Sequence, residues 1–132
     1  PITVAGTAIS SNASAGGVIT VASSGTLNAT TGDGIDAIST GANNGTVTVG
    51  TTAAPITSNI TAGGNGIWAQ GNGVVEVVDN GTVTVSGTWG IVGLSTSGAF
   101  ASATVSVTAN GSVMQLWASG GSTNQQWKFV TP

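Results

Sequence analysis

The sequence predicts an all-β fold and, within that class, a parallel β-solenoid. Three observations support this prediction: Val, Ile and Thr make up 46 of the 132 residues, glycine contributes 22, and two short phrases recur along the chain. β-branched side chains suit a pleated sheet and lose rotamer freedom in a helix. We therefore expect short strands joined by glycine-containing corners.

A Gly-Ile phrase recurs at spacings of 32 and 24 residues. Its copies are Gly34-Ile35, Gly66-Ile67 and Gly90-Ile91. In a solenoid, each coil adds short strands to parallel stacks, and a small corner residue followed by an apolar one is what stacking coils require. The phrase has no obvious role in a β-sandwich, so it favours the solenoid.

An Asn-Gly phrase is interleaved with the first one. Its copies begin at Asn44-Gly45, Asn80-Gly81 and Asn110-Gly111, and each precedes an alternation of Thr or Ser with Val. Asn and Gly tolerate positive φ and mark turns. Residues 74–85 also fit a β-hairpin around the second copy, so an antiparallel β-sandwich fibre subunit stays open as the alternative.

We expect one all-β domain over residues 1–132, with two segments that differ from the repeats. Natural sheets guard their edge strands with Lys, Pro or bulges, and this chain has a single Lys, Lys128, and three Pro. Residues 1–21 are therefore a candidate for an added or donated strand. Residues 113–132 are predicted to form a Trp-rich C-terminal strand or cap.

The chain contains very few charged residues. Its charged residues are Asp33, Asp36, Glu76, Asp79 and Lys128. The sequence has no His or Cys, so it offers no imidazole or thiol for catalysis. One Lys cannot neutralise a nucleic-acid backbone, and no apolar run reaches the length of a membrane helix. We therefore expect that the protein is not an enzyme and has no catalytic residue. We also expect that it neither binds nucleic acid nor inserts into a membrane.

The acidic residues fall into two local pairs. Residues 31–39 nearly match a nonapeptide that binds calcium in stacked β-rolls, but the match occurs once and cannot supply six or more oxygen ligands. We expect Asp33 and Asp36 to share a solvated turn, and Glu76 and Asp79 to lie at the end of a hairpin. No metal site and no cofactor are predicted.

The repeat phrases over roughly residues 32 to 113, such as GDGIDAIS, GNGIWAQGNG and NGTVTVSG, resemble the passenger regions of bacterial autotransporters and filamentous adhesins. The resemblance implies a β-helix and a non-enzymatic, extracellular or cell-surface structural protein. Such a protein is a self-assembling fibre subunit or an adhesin segment. Its main partner is then another copy of itself, in a homo-oligomer or filament joined through strand edges.

The last twenty residues, with Leu116-Trp117, Gly120-Gly121 and Gln125-Gln126-Trp127, resemble one Gln-x-Trp repeat of the ricin-type lectins. The resemblance implies carbohydrate binding as the alternative function, with Trp117 and Asn124 at sugar-contacting positions. Trp127 matches the Trp that builds the core in that family. The upstream Asp and two further repeats of the family's pattern are missing here.

Six Asn-x-Ser/Thr sequons make glycosylation a further prediction. They lie at Asn12, Asn28, Asn44, Asn59, Asn80 and Asn110. A sugar on an exposed turn would hydrate a surface that has almost no ions. We expect glycan first at the Asn-Gly turns, those of Asn44, Asn80 and Asn110.

The Thr-x-Thr segments at residues 46–48 and 82–84 suggest a third possibility, an ice-binding face. A flat Thr array would require this pattern to be in register over several coils.

Overall fold

The computed structural model describes residues 1–41 and 45–97, together with the strands of residues 101–105 and 114–118. This part of the chain contains thirteen short strands and no helix. Accordingly, no helix long and apolar enough to cross a membrane is found in it. The strands are β1 (Ile2–Val4), β2 (Ile9–Ala13), β3 (Ile19–Val21), β4 (Ser24–Ala29), β5 (Ile35–Ser39), β6 (Val47–Val49), β7 (Thr57–Ala62), β8 (Ile67–Gly71), β9 (Val75–Asp79), β10 (Thr82–Val85), β11 (Ile91–Ser95), β12 (Ala101–Val105) and β13 (Met114–Ala118).

The strands form three parallel sheets. Sheet A has the order β1-β4-β7-β10, sheet B the order β13-β11-β8-β5-β2, and sheet C the order β12-β9-β6-β3. From β1 to β12 the chain visits the sheets in the order A, B, C and then returns to A, so each set of three strands makes one coil. Strand β13 adds a further strand to sheet B. Successive coils stack through parallel pairings in each sheet. This is the predicted solenoid-like, all-β architecture.

The antiparallel alternative is wrong. Strands β9 and β10, which were candidates for a hairpin, lie in sheets C and A and do not pair with each other. Instead Val75 pairs with Val47, and Val83 pairs with Ile60. Each strand thereby continues an apolar column of the core, and Asn80-Gly81 forms the corner between two sheets.

The Gly-Ile phrase forms a ladder through the centre of sheet B. Ile35 pairs with Ile67, and Ile67 pairs with Ile91. The three side chains are 0%, 0% and 3% exposed, respectively. The amide of Ile67 donates to the carbonyl of Gly90 at 2.9 Å, and this hydrogen bond connects the coils of β8 and β11 where these strands begin. The three Ile residues align although the copies of the phrase are 32 and 24 residues apart, because the corners between the strands differ in length.

Residues 1–21 form the first coil, β1 to β3. They pair in parallel with the second coil of the same chain, with Ile2 opposite Leu27, Ile9 opposite Ile35 and Ile19 opposite Val47. The segment predicted to be an added strand is thus placed on its own chain's solenoid. In residues 113–132, the structure describes only the strand β13, which pairs with β11.

Candidate functional site

Alternation along each strand gives the solenoid three outward faces. On sheet B, the outward residues of the middle coils are Asp36, Ile38, Trp68, Gln70, Val92 and Leu94, which we call the sheet B face. It combines apolar, aromatic and acidic side chains. Its members are half-buried except Val92, which is 5% exposed.

Trp68 occupies the middle of the sheet B face. It pairs in register with Asp36 on one side and with Val92 on the other. Its indole Nε1 donates to Oε1 of Gln70 at 3.3 Å, which holds the ring beside the amide. Partial burial raises the pKa of the Asp36 carboxyl, and the negative charge of Asp33 raises it further. A half-exposed indole beside a carboxylate and an amide can contact both the apolar face and the hydroxyls of a sugar.

The structure locates one of the two residues predicted to bind carbohydrate. Trp117 lies on β13, where its backbone pairs with Leu94 of the same sheet as Trp68. Asn124 and the predicted core residue Trp127 lie outside the described residues. Trp68 and Asp36 were not assigned to a joint site from the sequence, because only the coil register places them side by side.

The sequons occupy two kinds of position. Asn80 is exposed at the corner that follows β9, as expected for an Asn-Gly turn. Asn12 and Asn59 are exposed on strands β2 and β7, while Asn28 is half-buried on β4. Asn44 and Asn110 lie outside the described residues. Three of the four described sequons are therefore on strands, and of these only Asn28 is partly covered.

The acidic residues do not form the local pairs that the sequence suggested. Asp33 lies at a corner, where its Oδ1 accepts from the amide of Asn65 in the next coil at 2.6 Å. Asp36 is on strand β5 instead of in the same turn, and Glu76 is the second residue of β9, which forms no hairpin with β10. No group of three metal-ligating residues occurs in the described part of the chain.

Asp79 is fully buried at the end of β9. Its Oδ1 accepts from the amide of Gly81 at 3.1 Å, so it supports the corner as a turn residue does. Its Oδ2 is buried and has no hydrogen-bond partner in the described structure. Burial raises the pKa of this carboxyl, and the hydrogen bond from Gly81 opposes the rise only partly.

The outward face of sheet A differs from the other two. We call it the sheet A face, and its residues are Thr3, Ser24, Thr26, Asn28, Thr57, Asn59, Thr61, Thr82 and Thr84. All of them are short and uncharged. The outward residues of sheet C include Thr20, Thr48 and Glu76, which pair in register. Of the two Thr-x-Thr segments in the sequence, residues 82–84 lie on the sheet A face, whereas residues 46–48 lie at sheet C, so the two do not form one array. The other rows of the sheet A face became apparent only from the register.

The core is open at its first coil. Ile2 belongs to an inward column with Leu27 and Ile60, yet it is 41% exposed while Leu27 is 2% exposed. Ile9, at the start of the Ile ladder, is half-buried, whereas Ile35 above it is completely buried. The apolar columns thus continue to the edge strands of the first coil, where their side chains are less covered than those of the next coil.

Comparison with protein-family models, curated proteins and solved structures finds no match to this chain.

Proposed function

We propose that the protein is a non-enzymatic, extracellular structural protein whose copies associate end to end through their coils, as a fibre subunit or a segment of a surface adhesin. The observation that carries this proposal is the open end of the core. Ile2 and Ile9 point along the apolar columns of sheets A and B but are only partly covered. A coil from a second copy would cover them.

Strand addition explains why this end suits a second copy. The edge strands at the first coil are β1, β2 and β3, and among the described residues those at the opposite end are β10, β13 and β12. An edge strand presents unpaired backbone groups to an incoming strand. Residues 1–21 contain no Lys, Arg, Asp or Glu to repel one. Contact between two different ends is head to tail, and it produces an open filament when the rotation does not close a ring.

The low charge of the chain and its sequons support a location outside the cell. With a net charge of −3 and only one Lys, the chain has few ions to hydrate it. Sequons at exposed positions such as Asn12 and Asn80 offer attached sugar as a substitute. The proposed partners are therefore other copies of the chain and glycan.

A lysine at the open end tests the proposal. We expect the 132-residue chain to associate with increasing concentration in sedimentation velocity and to form elongated particles in negative-stain electron microscopy. Ile2→Lys should remain monomeric, because association would bury an unpaired charge. Val74→Lys is the matched control, since Val74 is 43% exposed and Ile2 41% but Val74 lies beside a middle coil.

Val74→Lys should therefore assemble like the original chain. A chain that stays monomeric at all concentrations, or an Ile2→Lys variant that assembles normally, would show that the open end does not mediate association.

The sheet B face favours carbohydrate binding as the second candidate. The specific observation is the register of Trp68 with Asp36, which places an acid beside a half-exposed indole. A glycan array would test it. Binding should be lost in Trp68→Ala and kept in Trp89→Ala, because Trp89 lies at a corner outside this face.

A further inference from the structure

We propose that the sheet A face binds ice. This inference goes beyond the proposed structural role and does not require the chain to assemble. It follows from the register, exposure and chemistry of the outward residues on β1, β4, β7 and β10.

The face consists of columns of hydroxyl and amide side chains. In the first column Thr3 pairs with Asn28, Asn28 with Thr61, and Thr61 with Thr84. In the second column, Thr26 pairs with Asn59, which pairs with Thr82. A third, shorter column joins Ser24 to Thr57. The Thr-x-Thr pattern of β10 is therefore continued as Asn-x-Thr on β7 and Thr-x-Asn on β4.

The spacing of this array is set by the backbone. Neighbouring strands lie about 4.8 Å apart, and alternate residues of a parallel strand are about 6.6 Å apart. These two repeats run roughly at right angles and are close to the spacings between water oxygens on the surface planes of hexagonal ice. Waters bound between the columns can therefore adopt positions that the ice lattice continues.

The polar groups of this array are available to water. The hydroxyls of Thr26, Thr61 and Thr84 make no hydrogen bond to any residue in the described part of the chain. Corner threonines behave differently: Thr30 donates to the carbonyl of Val4 at 3.4 Å, and Thr96 donates to that of Gly71 at 3.3 Å. Corner hydroxyls thus connect coils, whereas those of the face are left to solvent.

The face rests on a rigid base. Leu27, Ile60 and Ala62 lie beneath it on the inward side and are at most 2% exposed. Thr is stiff at χ1 because it is branched at Cβ. The array is therefore ordered before it meets a ligand, which lowers the entropic cost of binding a lattice.

The other two faces lack these properties. Among the described residues, the sheet B face carries Asp36 and Trp68, and the outward side of sheet C carries Glu76 and the exposed Val74. A charge binds liquid water strongly, and a bulky ring interrupts a flat surface. Uncharged, short and regularly spaced side chains are thus concentrated on one face of the solenoid.

Substitution at the centre of the array tests the proposal. The chain, produced without glycosylation, should show thermal hysteresis and should inhibit ice recrystallisation. Thr61→Tyr places a ring in the middle of the first column and should remove most of both activities. Thr48→Tyr is the matched control, because Thr48 is an outward threonine on a middle strand of sheet C. It should keep both activities.

Circular dichroism and thermal unfolding confirm that each variant is folded. If Thr61→Tyr does not fold, Thr84→Tyr makes the same test on strand β10. The monomeric Ile2→Lys variant should still act on ice, which separates this proposal from end-to-end assembly. The proposal is overturned if the original chain has no activity on ice, if Thr61→Tyr retains it, or if Thr48→Tyr loses it equally. Binding to crystalline cellulose without activity on ice would also overturn it.

Discussion

Replacing Gly66 by Ala should destabilise the solenoid, because this corner has no room for a Cβ atom. Gly66 precedes the Ile67 rung of the ladder in sheet B. A Cβ atom at this position would meet the carbonyl oxygen of Gly90 and Cγ1 of Val83, both closer than any normal contact. The carbonyl of Gly90 accepts the 2.9 Å hydrogen bond from Ile67, so it cannot move away without weakening the connection between two coils.

The expected loss combines three effects. Overpacking of a tight site costs about 1–3 kcal/mol. Distortion of the hydrogen bond between Ile67 and Gly90 costs about 0.5–1.5 kcal/mol. The lower backbone entropy of alanine in the unfolded chain offsets about 0.4–1 kcal/mol. We therefore expect Gly66→Ala to lower the free energy of unfolding by about 2 kcal/mol, within limits of about 0.5–4 kcal/mol.

Gly6→Ala is the matched control. Gly6 also lies at a corner between sheets A and B, but a Cβ atom there meets nothing within 4 Å. Its substitution should leave stability unchanged or raise it by about 0.4–1 kcal/mol through the unfolded state. The measurement is urea unfolding followed by circular dichroism, with the free energy extrapolated to water for both variants. Equal stability of the two variants would refute the idea that the Gly-Ile corner is sterically fixed.

Three further predictions follow from the buried acid, the sequons and the tail. The pKa of Asp79 is raised in the folded state, so the contribution of this carboxyl to stability is largest in acid and is lost as the pH rises through the raised pKa. Thermal unfolding measured from pH 3 to 8 should show this decline in stability. The Asp79→Asn variant should show a weaker decline. A melting temperature that rises steadily with pH would contradict this. In protein from its native source, peptide mass spectrometry should find glycan at Asn80 before Asn28, since the first is exposed at a corner and the second is crowded on a strand; glycan at Asn28 alone would be the opposite result. If the tail is mainly structural, Trp117→Ala should leave glycan-array signals unchanged, and a selective loss of binding in a folded variant would instead favour the lectin interpretation.

Composition and local repeats were sufficient to predict the all-β fold and to favour its parallel form. The Gly-Ile phrase was informative because each copy places a buried Ile in the same ladder, and at Gly34 and Gly66 the corner has no room for a Cβ atom. The Asn-Gly phrase was ambiguous for a physical reason. A turn followed by alternating Thr and Val fits a hairpin as well as a solenoid corner, and the choice depends on which distant strand covers the Val side chains.

The acidic residues show the limit of local inference. Asp33 and Asp36 are close in sequence, but the first accepts a hydrogen bond from Asn65 in the next coil, and the second lies beside Trp68. Asp79 was expected to lie at a hairpin end and is instead buried at a corner between two sheets. Proximity in sequence did not define their partners, because neighbours in a solenoid are about one coil apart along the chain.

The sequence by itself determined that this chain forms strands with an apolar side and a polar side, since alternation and β-branching act within a few residues. Only the tertiary structure decided which polar sides form a common surface. The coils differ in length, so no fixed period in the sequence aligns Thr26 with Asn59 or Asn28 with Thr61. Their register is set by the buried columns beneath them, where a slip of one residue would turn every apolar side chain outward.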